Sequence, residues 1–346
     1  MDPLTHSTLG VAVALAVGPR SASKSALLLV GLAAGTLPDA DIFLRSSTDP
    51  LFSLEYHRHF THSLLFSPVI ALLAVAIVHG LMRFFRVTTH CRPLLLPALL
   101  AGMSHLFCDA WTSYGTRLGW PFTDTRYSLD WISVVDPLFT LPLLLLTLLA
   151  VLKFSRRHAR LALVWAGLYL AACVVQQQRA ADALHGWLAR HGRDAADRIA
   201  IHPSFGNIIV WRALAEKDGG VQTFAIRCGQ GAPSVVPGES LPIVSQPESA
   251  LEKWGISPDS PLARDVRRFF HFSSNWVTLV PGTTDTLGDV RYATLPDSLS
   301  PLWGIRMLSS GSEPPVEWMQ FRTIDAATWD RFIAFLCGNI PEPTDQ

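Results

Sequence analysis

Long apolar runs separated by short polar stretches fill the first 178 residues of the chain. A membrane-spanning helix needs about 20 residues, and several of these runs reach or approach that length. The four longest are Ser63–Met82, Pro93–Trp111, Pro137–Leu152 and Arg160–Val175, and two shorter runs, Thr8–Val17 and Ser25–Leu37, precede them. The shorter pair can form a tilted helical hairpin, re-entrant segments or thin spans. The pattern predicts an all-α membrane bundle of about four to six apolar helices over residues 1–178.

The pattern changes after residue 178, where apolar, charged, Pro and Gly residues alternate in ordinary order. Lys217-Asp218-Gly219-Gly220 joins two β-branched runs, which predicts a β-hairpin. Residues 179–346 are therefore expected to form a soluble, β-rich α+β domain. The predicted strands are Asn207–Ala213, Val221–Cys228, Trp276–Val280, Val290–Leu295, Leu302–Leu308 and Val316–Arg322. The predicted helices are Pro261–Phe272, capped by Asp259 or Ser260, and Ala326–Leu336, capped by Asp325, while Gly229–Pro258 is expected to be loop.

Composition supports a membrane-associated half. Mean hydropathy is +0.28 and only 16% of residues are charged, against about 25% in ordinary soluble domains. The formal net charge is zero, which gives no sign of a nucleic-acid partner. The first residues lack the basic start of a removable signal peptide, so the first apolar run is expected to be retained.

Loop charge predicts the topology, because Lys and Arg concentrate on the cytoplasmic side of short loops. Basic residues occupy three separate loops, and all three fall on one side if each run crosses once. They are Arg20 and Lys24; Arg83, Arg86 and Arg92; and Lys153, Arg156, Arg157 and Arg160. Met1–Ser7, residues 38–62 and 112–135, and the C-terminal domain are then expected on the opposite, non-cytoplasmic side.

The strongest candidate chemistry is the pair His105 and Asp109, which lie four residues apart within an apolar run. On a helix this spacing places both side chains on one face, where they can ligate a metal such as zinc. A carboxylate within the bilayer is costly unless it is paired, so Asp109 is a functional candidate. The alternative is a structural His–Asp hydrogen bond between helices.

Three further segments bring His or Asp to the same side of the membrane. His57 and His62 precede the run that starts at Ser63, and Asp39 and Asp41 follow the second apolar run. His6 precedes the first run in Thr5-His6-Ser7, a pattern repeated at Thr61-His62-Ser63. Surface histidines and a polar helix terminus would explain each segment alone, but their joint placement indicates one site.

Imidazoles combined with carboxylates are typical ligands of zinc, or of manganese or iron where oxygens dominate. The predicted metal ligands are His6, Asp39, His57, His62, His105 and Asp109. A metal lowers the pKa of a bound water, and Asp39 or Asp41 can act as general base. Arg126 can bind a phosphate or carboxylate, although an interfacial anchor near lipid headgroups is an equal alternative.

Together these motifs resemble the YdjM-like family of LexA-regulated, membrane-bound, metal-dependent hydrolases. The resemblance is carried by Asp2-Pro3-Leu4-Thr5-His6, Pro38-Asp39-Ala40-Asp41, His57-Arg58, Thr61-His62-Ser63, His105 to Asp109, Thr112-Ser113-Tyr114-Gly115 and Asp136-Pro137. It covers residues 1–178 and implies a multi-pass protein of the bacterial inner membrane. A more distant similarity to zinc-dependent phospholipase C implies His6, Asp39, His62, His105 and Asp109 as ligands. The second His-x-x-x-Glu helix of those enzymes is missing, so one or two metal ions are expected.

The predicted function is metal-dependent hydrolysis of a lipid-like or phosphoester substrate by an activated water. One alternative is an ion, proton or metal transporter, since intramembrane His and Asp residues also line ion paths. Another is a non-catalytic membrane protein whose C-terminal domain binds a protein partner. The expected partners of the hydrolase are membrane lipid and a small-molecule or lipid substrate.

Overall fold

The computed structural model describes residues 1–193, 196–244, 246–309, 311–322 and 325–339. The chain divides into two compact units. The first unit consists of Met1–Leu44, Tyr56–Val174 and Phe205–Asn207. The second consists of Arg45–Glu55, Val175–Ser204 and the chain from Ile208 onward. The short segment Arg45–Glu55 therefore belongs to the mainly C-terminal unit, although it interrupts the first unit in sequence.

The first unit is all-helical, as predicted. Its helices are α1 (Pro3–Val17), α2 (Lys24–Thr36), α4 (Ser67–Phe84), α5 (Arg92–Ala110), α6 (Pro137–Leu152) and the first part of α7 (Arg156–Arg190). The short helix α3 (Phe52–Tyr56) belongs to the second unit, apart from its last residue. Two 3-10 helices, Leu37–Phe43 and Phe60–His62, follow α2 and precede α4. Within the described residues, four helical stretches are long and apolar enough to cross a membrane: Lys24–Phe43, Ser67–Phe84, Arg92–Ala110 and Arg156–Arg190. The shorter apolar helices are α1 and α6.

Glycines bring α1 and α2 into close contact. A methyl group added at Gly10 would lie 2.4 Å from the carbonyl oxygen of Gly31, and one added at Gly35 would lie 2.8 Å from the carbonyl oxygen of His6. Small residues at such contacts let helix backbones pack closely in an apolar environment. This packing holds His6 against the end of α2.

The connections of the bundle gather four helix ends. Helices α2 and α5 contact each other, and both of them contact α1 and α4. Short links join α1 to α2 and α4 to α5. Each short link reverses the chain direction, so the start of one helix lies beside the end of the next. The start of α1, the end of α2, the start of α4 and the end of α5 carry the candidate ligands.

The described residues of the second unit form two four-stranded antiparallel sheets, each in sequential strand order. The first sheet consists of β1 (Arg198–Pro203), β2 (Val210–Lys217), β3 (Gly220–Arg227) and β4 (Ser234–Pro242). The second consists of β5 (Val277–Leu279), β6 (Thr286–Asp289), β7 (Trp303–Met307) and β8 (Val316–Gln320). The hairpin between β2 and β3 is confirmed: Lys217 pairs with Gly220, and Asp218 and Gly219 take positive φ angles of 51° and 76°, as this turn requires.

Helices cover the sheets. The second half of α7 packs through Ala180, Leu184 and Leu188 on Trp211 and Phe224 of the first sheet. The second sheet packs against α8 (Pro247–Lys253) and α9 (Pro261–Phe272). Ser260 caps α9, and Asp325 caps α10 (Ala326–Cys337), as predicted. A β-rich α+β C-terminal part is thereby confirmed.

Two local predictions were wrong. Gly229–Pro258 was expected to be loop, but it contains β4 and α8. Strand β4 is at the edge of its sheet, where Pro237 is tolerated because no further strand needs its missing N–H group. Val290–Leu295 is not a strand either: β6 ends at Asp289, whose carboxylate accepts a hydrogen bond from the Arg291 amide at 3.1 Å and turns the chain.

Candidate metal centre

Four side chains from three parts of the bundle meet in one cluster. Asp39 lies in the 3-10 helix after α2, His62 precedes α4, and His105 and Asp109 lie in the last turns of α5. Each offers one ligand atom, and these atoms all lie within 4.8 Å of one another. The i, i+4 spacing in α5 accounts for the His105–Asp109 half of the cluster.

The distances within this four-residue cluster are short and similar. The Nε2 atoms of His62 and His105 lie 3.0 Å apart. Asp39 Oδ1 lies 3.4 Å from the first of these nitrogens and 3.5 Å from the second. Asp109 Oδ2 lies 3.2 Å from His62 Nε2 and 3.4 Å from His105 Nε2. Two nitrogens and two carboxylate oxygens thus face a common centre.

Hydrogen bonds outside the cluster determine which imidazole nitrogens face its centre. His105 Nδ1 lies 2.8 Å from the carbonyl oxygen of Gly35, which can only accept, so this nitrogen carries the proton. His62 Nδ1 lies 2.9 Å from Thr61 Oγ1 and 3.2 Å from Asp41 Oδ2, while Thr61 donates to the same carboxylate. In the neutral form of both rings, Nε2 therefore presents a lone pair to the centre.

The two carboxylate oxygens of Asp109 have different surroundings. Oδ1 accepts from Arg58 Nη2 at 2.9 Å, contacts His6 Nε2 at 3.1 Å, and contacts the Met1 amino group. Oδ2 is buried and has no hydrogen-bond partner among the described residues. A fully buried carboxylate oxygen is rarely left unsatisfied without a reason, and this one points toward the two Nε2 atoms.

The donor set fits a divalent metal. Four ligands placed tetrahedrally at about 2.0–2.1 Å from a zinc ion lie roughly 3.3 Å apart, close to the observed separations of 3.0 to 3.5 Å. Without a cation, two lone pairs and two carboxylates would repel one another at these distances. Asp39, His62, His105 and Asp109 are consequently the residues that would hold the ion.

The raised pKa of His62 also indicates that a positive charge is favoured within the cluster. Burial by itself lowers the pKa of His62, but its contacts with Asp109, Asp39 and Asp41 outweigh burial and raise the pKa to about 10. A proton or a metal ion can supply that charge. Metal binding must then displace the proton.

Asp41 supports the cluster from outside. Its Oδ2 accepts from the Arg58 amide at 3.0 Å and from Thr61 Oγ1 at 2.9 Å, and its Oδ1 lies 2.9 Å from His57 Nδ1. Asp41, His57 and Asp39 also form a second group whose ligand atoms lie within 4.8 Å of one another. His57 is the more open member of the pair, with 26% of its side chain exposed, whereas the Asp41 side chain is fully buried.

His6 reaches the cluster by a different contact. Its ring stacks on that of His105, with centroids 3.7 Å apart and planes 18° from parallel. Its Nε2 contacts Asp109 Oδ1, the oxygen turned away from the two other imidazoles. Its buried Nδ1 has no hydrogen-bond partner in the part of the chain that the structure describes. His6 thus lies behind the four-residue cluster, and its role as a ligand stays a prediction.

Arg126 lies beside the cluster, not within it. Its Nη2 is 3.4 Å from the carbonyl oxygen of Gly115, and its guanidinium lies 5.2 Å from the ring centre of Tyr114. Tyr114 also contacts the guanidinium of Arg58 at 4.9 Å and the His57 ring at 5.6 Å. Tyr114 therefore connects Arg126 to two residues that hold Asp41 and Asp109.

Sequence reasoning missed the importance of Arg58. This buried residue donates to Asp109 Oδ1 and, through Nη1, to Thr112 Oγ1 at 3.0 Å. It takes a positive φ of 61°, which is uncommon for a non-glycine residue. The signal that could have found it is the need of buried Asp109 for a cation, because Arg58 is a basic residue in the same predicted segment as His57.

Fold and site define a class: a helical membrane protein whose bundle gathers a buried His/Asp cluster able to hold a metal ion. The profile of the family described as YdjM inner membrane protein matches residues 1–180. The chain belongs to this inner-membrane family, as its motifs predicted. The similarity to zinc-dependent phospholipase C stays a prediction.

Two relatives share part of the chain. The uncharacterized protein YfhP of Bacillus subtilis (strain 168) is 30% identical over 143 residues, which are 40% of this chain and 42% of YfhP. The inner membrane protein YbcI of Escherichia coli (strain K12) is 33% identical over 131 residues, 37% of this chain and 72% of YbcI. The match thus spans less than half of YfhP but most of YbcI. No solved structure matches the chain.

Proposed function

We propose that this protein is a membrane-bound, metal-dependent hydrolase that acts on a lipid-like or phosphoester substrate. The observation that carries the proposal is the cluster of Asp39, His62, His105 and Asp109, in which two imidazole nitrogens and two carboxylate oxygens converge at 3.0 to 3.5 Å. A divalent ion bound there, zinc first and manganese or iron next, supplies an activated water and polarises the scissile group.

Approach to the cluster leads past Asp39. Its side chain is 20% exposed, whereas the side chains of His62, His105 and Asp109 are fully buried. Water and substrate therefore meet the site at Asp39. Because catalytic metal sites need an accessible position and structural sites are closed, this exposure favours a catalytic role.

Exposed apolar side chains lie close in sequence to Asp41 and His62. Phe43, two residues after Asp41, is 79% exposed, and Leu65, three residues after His62, is 57% exposed. Exposed large apolar side chains beside a polar site are typical of a surface that contacts lipid. A substrate with an acyl or prenyl part could keep that part in the lipid while its polar ester reaches the cluster.

We assign substrate binding and proton transfer to the residues around the opening. Arg126, half-buried beside Tyr114, would bind the anionic group of the substrate. Of the two carboxylates proposed as general base, Asp41 is occupied by Thr61, Arg58 and His57. The Asp41–His57 pair therefore suits proton transfer better than either aspartate alone: Asp41 orients the ring and His57 exchanges the proton.

The proposed location is the non-cytoplasmic side of the inner membrane. The support for this placement is the agreement of three basic loops, at residues 20–24, 83–92 and 153–160, which would all lie in the cytoplasm. The metal cluster and the C-terminal unit would then face the opposite side. A cysteine-accessibility experiment tests the assignment by introducing Ser46→Cys or His90→Cys after the exposed Cys91 and Cys337 have been replaced by serine. A membrane-impermeant reagent should then label only the Ser46→Cys protein in intact cells.

The function itself is tested with detergent-purified protein, loaded with zinc or manganese and offered phosphomonoesters, phosphodiesters and lipid phosphates. Wild type should hydrolyse one class, and His105→Ala should lose metal and activity together. His57→Ala should lose activity even when excess metal restores a full metal content. Metal-loaded wild type that hydrolyses none of them but moves protons or metal ions across proteoliposomes would contradict the proposal and support a transporter. Loss of activity in His57→Ala through loss of a second ion would instead make His57 a ligand.

A further inference from the structure

The segment Arg45–Glu55 connects the candidate ligands Asp39 and Asp41 to His57 and His62 in sequence, yet it folds as part of the second compact unit. The residues on either side of it, up to Leu44 and from Tyr56, belong to the helical unit. We call Arg45–Glu55 the ligand-loop insert. Its contacts explain why it leaves the helical unit.

The ligand-loop insert places one apolar residue in the core of the second unit. Leu51 is 1% exposed and belongs to the buried cluster that contains Val266, Phe269 and Phe270 of α9. Complete burial of a leucine side chain stabilises a fold by about 1.5–3 kcal/mol. The insert is therefore an integral part of the second unit's core.

A single arginine of α9 binds both ends of the insert's structured part. Arg268 donates through Nη1 and Nη2 to the two carboxylate oxygens of Asp49, at 3.0 and 2.8 Å. Its Nε and Nη2 contact Glu55 Oε2 at 2.9 and 2.6 Å, and its Nη1 also contacts buried Asp265 at 3.1 Å. All three nitrogens of the guanidinium are thereby used, two of them in a bidentate pair, the strongest arrangement of an ion pair.

Asp49 and Glu55 hold the one-turn helix α3 in place: Asp49 precedes the helix, and Glu55 lies within it. The Asp49 carboxylate accepts from the Leu51 amide at 3.0 Å, and its carbonyl accepts from the Phe52 amide at 3.2 Å. The Glu55 amide donates to the Leu51 carbonyl at 3.0 Å. Arg268 thus sets the position from which the chain continues, through Tyr56, to His57.

The residues that follow act directly on the metal cluster. His57 and the Arg58 amide both bind the Asp41 carboxylate, and the Arg58 guanidinium binds Asp109. Since Glu55 lies two residues before His57, at most about 7 Å of extended chain separates the clamped position from the residue that touches Asp41. A displacement of Glu55 would be transmitted to His57 and Arg58 with little slack.

We propose that Arg268 is a positioning residue for the metal centre: by clamping Asp49 and Glu55 it holds the ligand-loop insert so that His57 and Arg58 orient Asp41 and Asp109. This inference rests on the proposed metal-binding function. Supporting residues of this kind change metal affinity by about tenfold to a hundredfold when removed.

The test measures metal affinity of the full-length protein in detergent, by competition with a chromophoric zinc chelator. Arg268→Gln should weaken zinc binding by about tenfold or more. Arg267→Gln is the matched control, because Arg267 is the preceding residue of α9 and pairs with Glu248 and the Pro258 carbonyl, outside the insert. This control should bind zinc like the wild type.

Milder variants separate positioning from loss of folding. Glu55→Gln and Asp49→Asn should each weaken zinc binding. Arg268→Lys should keep part of the zinc affinity that Arg268→Gln loses. In an Arg268→Gln background, adding Glu55→Gln should reduce zinc affinity little further, because the ion pair is already broken. Each titration is run below the melting temperature of the metal-free variant. If Arg268→Gln lowers that melting temperature but leaves zinc affinity unchanged, the clamp is only structural and the inference is overturned. If wild type binds no zinc, manganese or iron, the metal-centre proposal fails and this inference fails with it.

Discussion

His62 Nε2 and His105 Nε2 lie 3.0 Å apart inside the bundle, although their other nitrogens already have acceptors on opposite sides. Two imidazoles so oriented would repel unless a cation lies between them and the carboxylates of Asp39 and Asp109. We therefore expect metal binding to depend on the ligands, on the residues that orient them, on the packing of the helices and on pH.

Removing either imidazole should abolish stoichiometric metal binding. His62→Ala and His105→Ala each delete one of four converging ligand atoms, so the loss should exceed the roughly tenfold to hundredfold effect of losing a supporting hydrogen bond. Elemental analysis after gel filtration gives the metal content. His90→Ala, in an exposed loop, is the control and should retain the metal. Equal metal content in all variants would exclude this cluster as the site.

Asp41 should matter for affinity without being essential. In Asp41→Asn the side chain keeps its shape but loses the negative charge that holds the proton on His62 Nδ1, so zinc affinity should fall about tenfold to a hundredfold. Asp124→Asn, a 73% exposed carboxylate, is the control and should bind like wild type. Complete loss of metal in Asp41→Asn would instead identify Asp41 as a ligand.

Gly35 should tolerate no side chain. In Gly35→Ala the new methyl group would lie 2.8 Å from the His6 carbonyl oxygen, and overpacking of this kind costs about 1–3 kcal/mol. The same residue accepts the His105 hydrogen bond, so both the melting temperature and metal affinity should fall. Gly80→Ala, where no atom lies within 4 Å of the added carbon, should change neither. If Gly35→Ala binds metal as tightly as the wild type, the close packing of α1 on α2 is not needed for metal binding.

Metal affinity should increase with pH. The pKa of His62 in the metal-free protein is raised to about 10, so below that pH the ring carries a proton that the ion must displace. One displaced proton changes affinity about tenfold per pH unit, or roughly a hundredfold between about pH 6.5 and about pH 8.5. Calorimetry in buffers of different ionisation enthalpy should count the released proton. A pH-independent affinity without proton release would contradict the assigned protonation of His62.

The parts of this structure that sequence could predict are those with a strong local pattern. The apolar runs identify the helices, the i, i+4 spacing places His105 and Asp109 on one face, and Asp218-Gly219 specifies its hairpin. No local sequence pattern places His62 beside Asp39. That placement was predicted only because counting the membrane crossings puts both residues on the same side.

What sequence could not predict depends on tertiary contacts. The membership of Arg45–Glu55 in the second unit is determined by Leu51 and Arg268, residues more than two hundred positions apart. The role of Arg58 depends on a positive φ angle and on the burial of Asp109. Strand β4 was missed because Pro and Ser favour loops, and only its edge position permits them.

X-ray absorption spectroscopy of the purified, zinc-loaded protein examines the proposed metal centre itself. We expect one ion per chain with four nitrogen or oxygen neighbours from the protein and a fifth from water, at about 2.0–2.2 Å, together with the outer-shell scattering of two imidazoles. A spectrum with sulfur neighbours, or with six oxygen neighbours and no imidazole, would contradict a site built by Asp39, His62, His105 and Asp109.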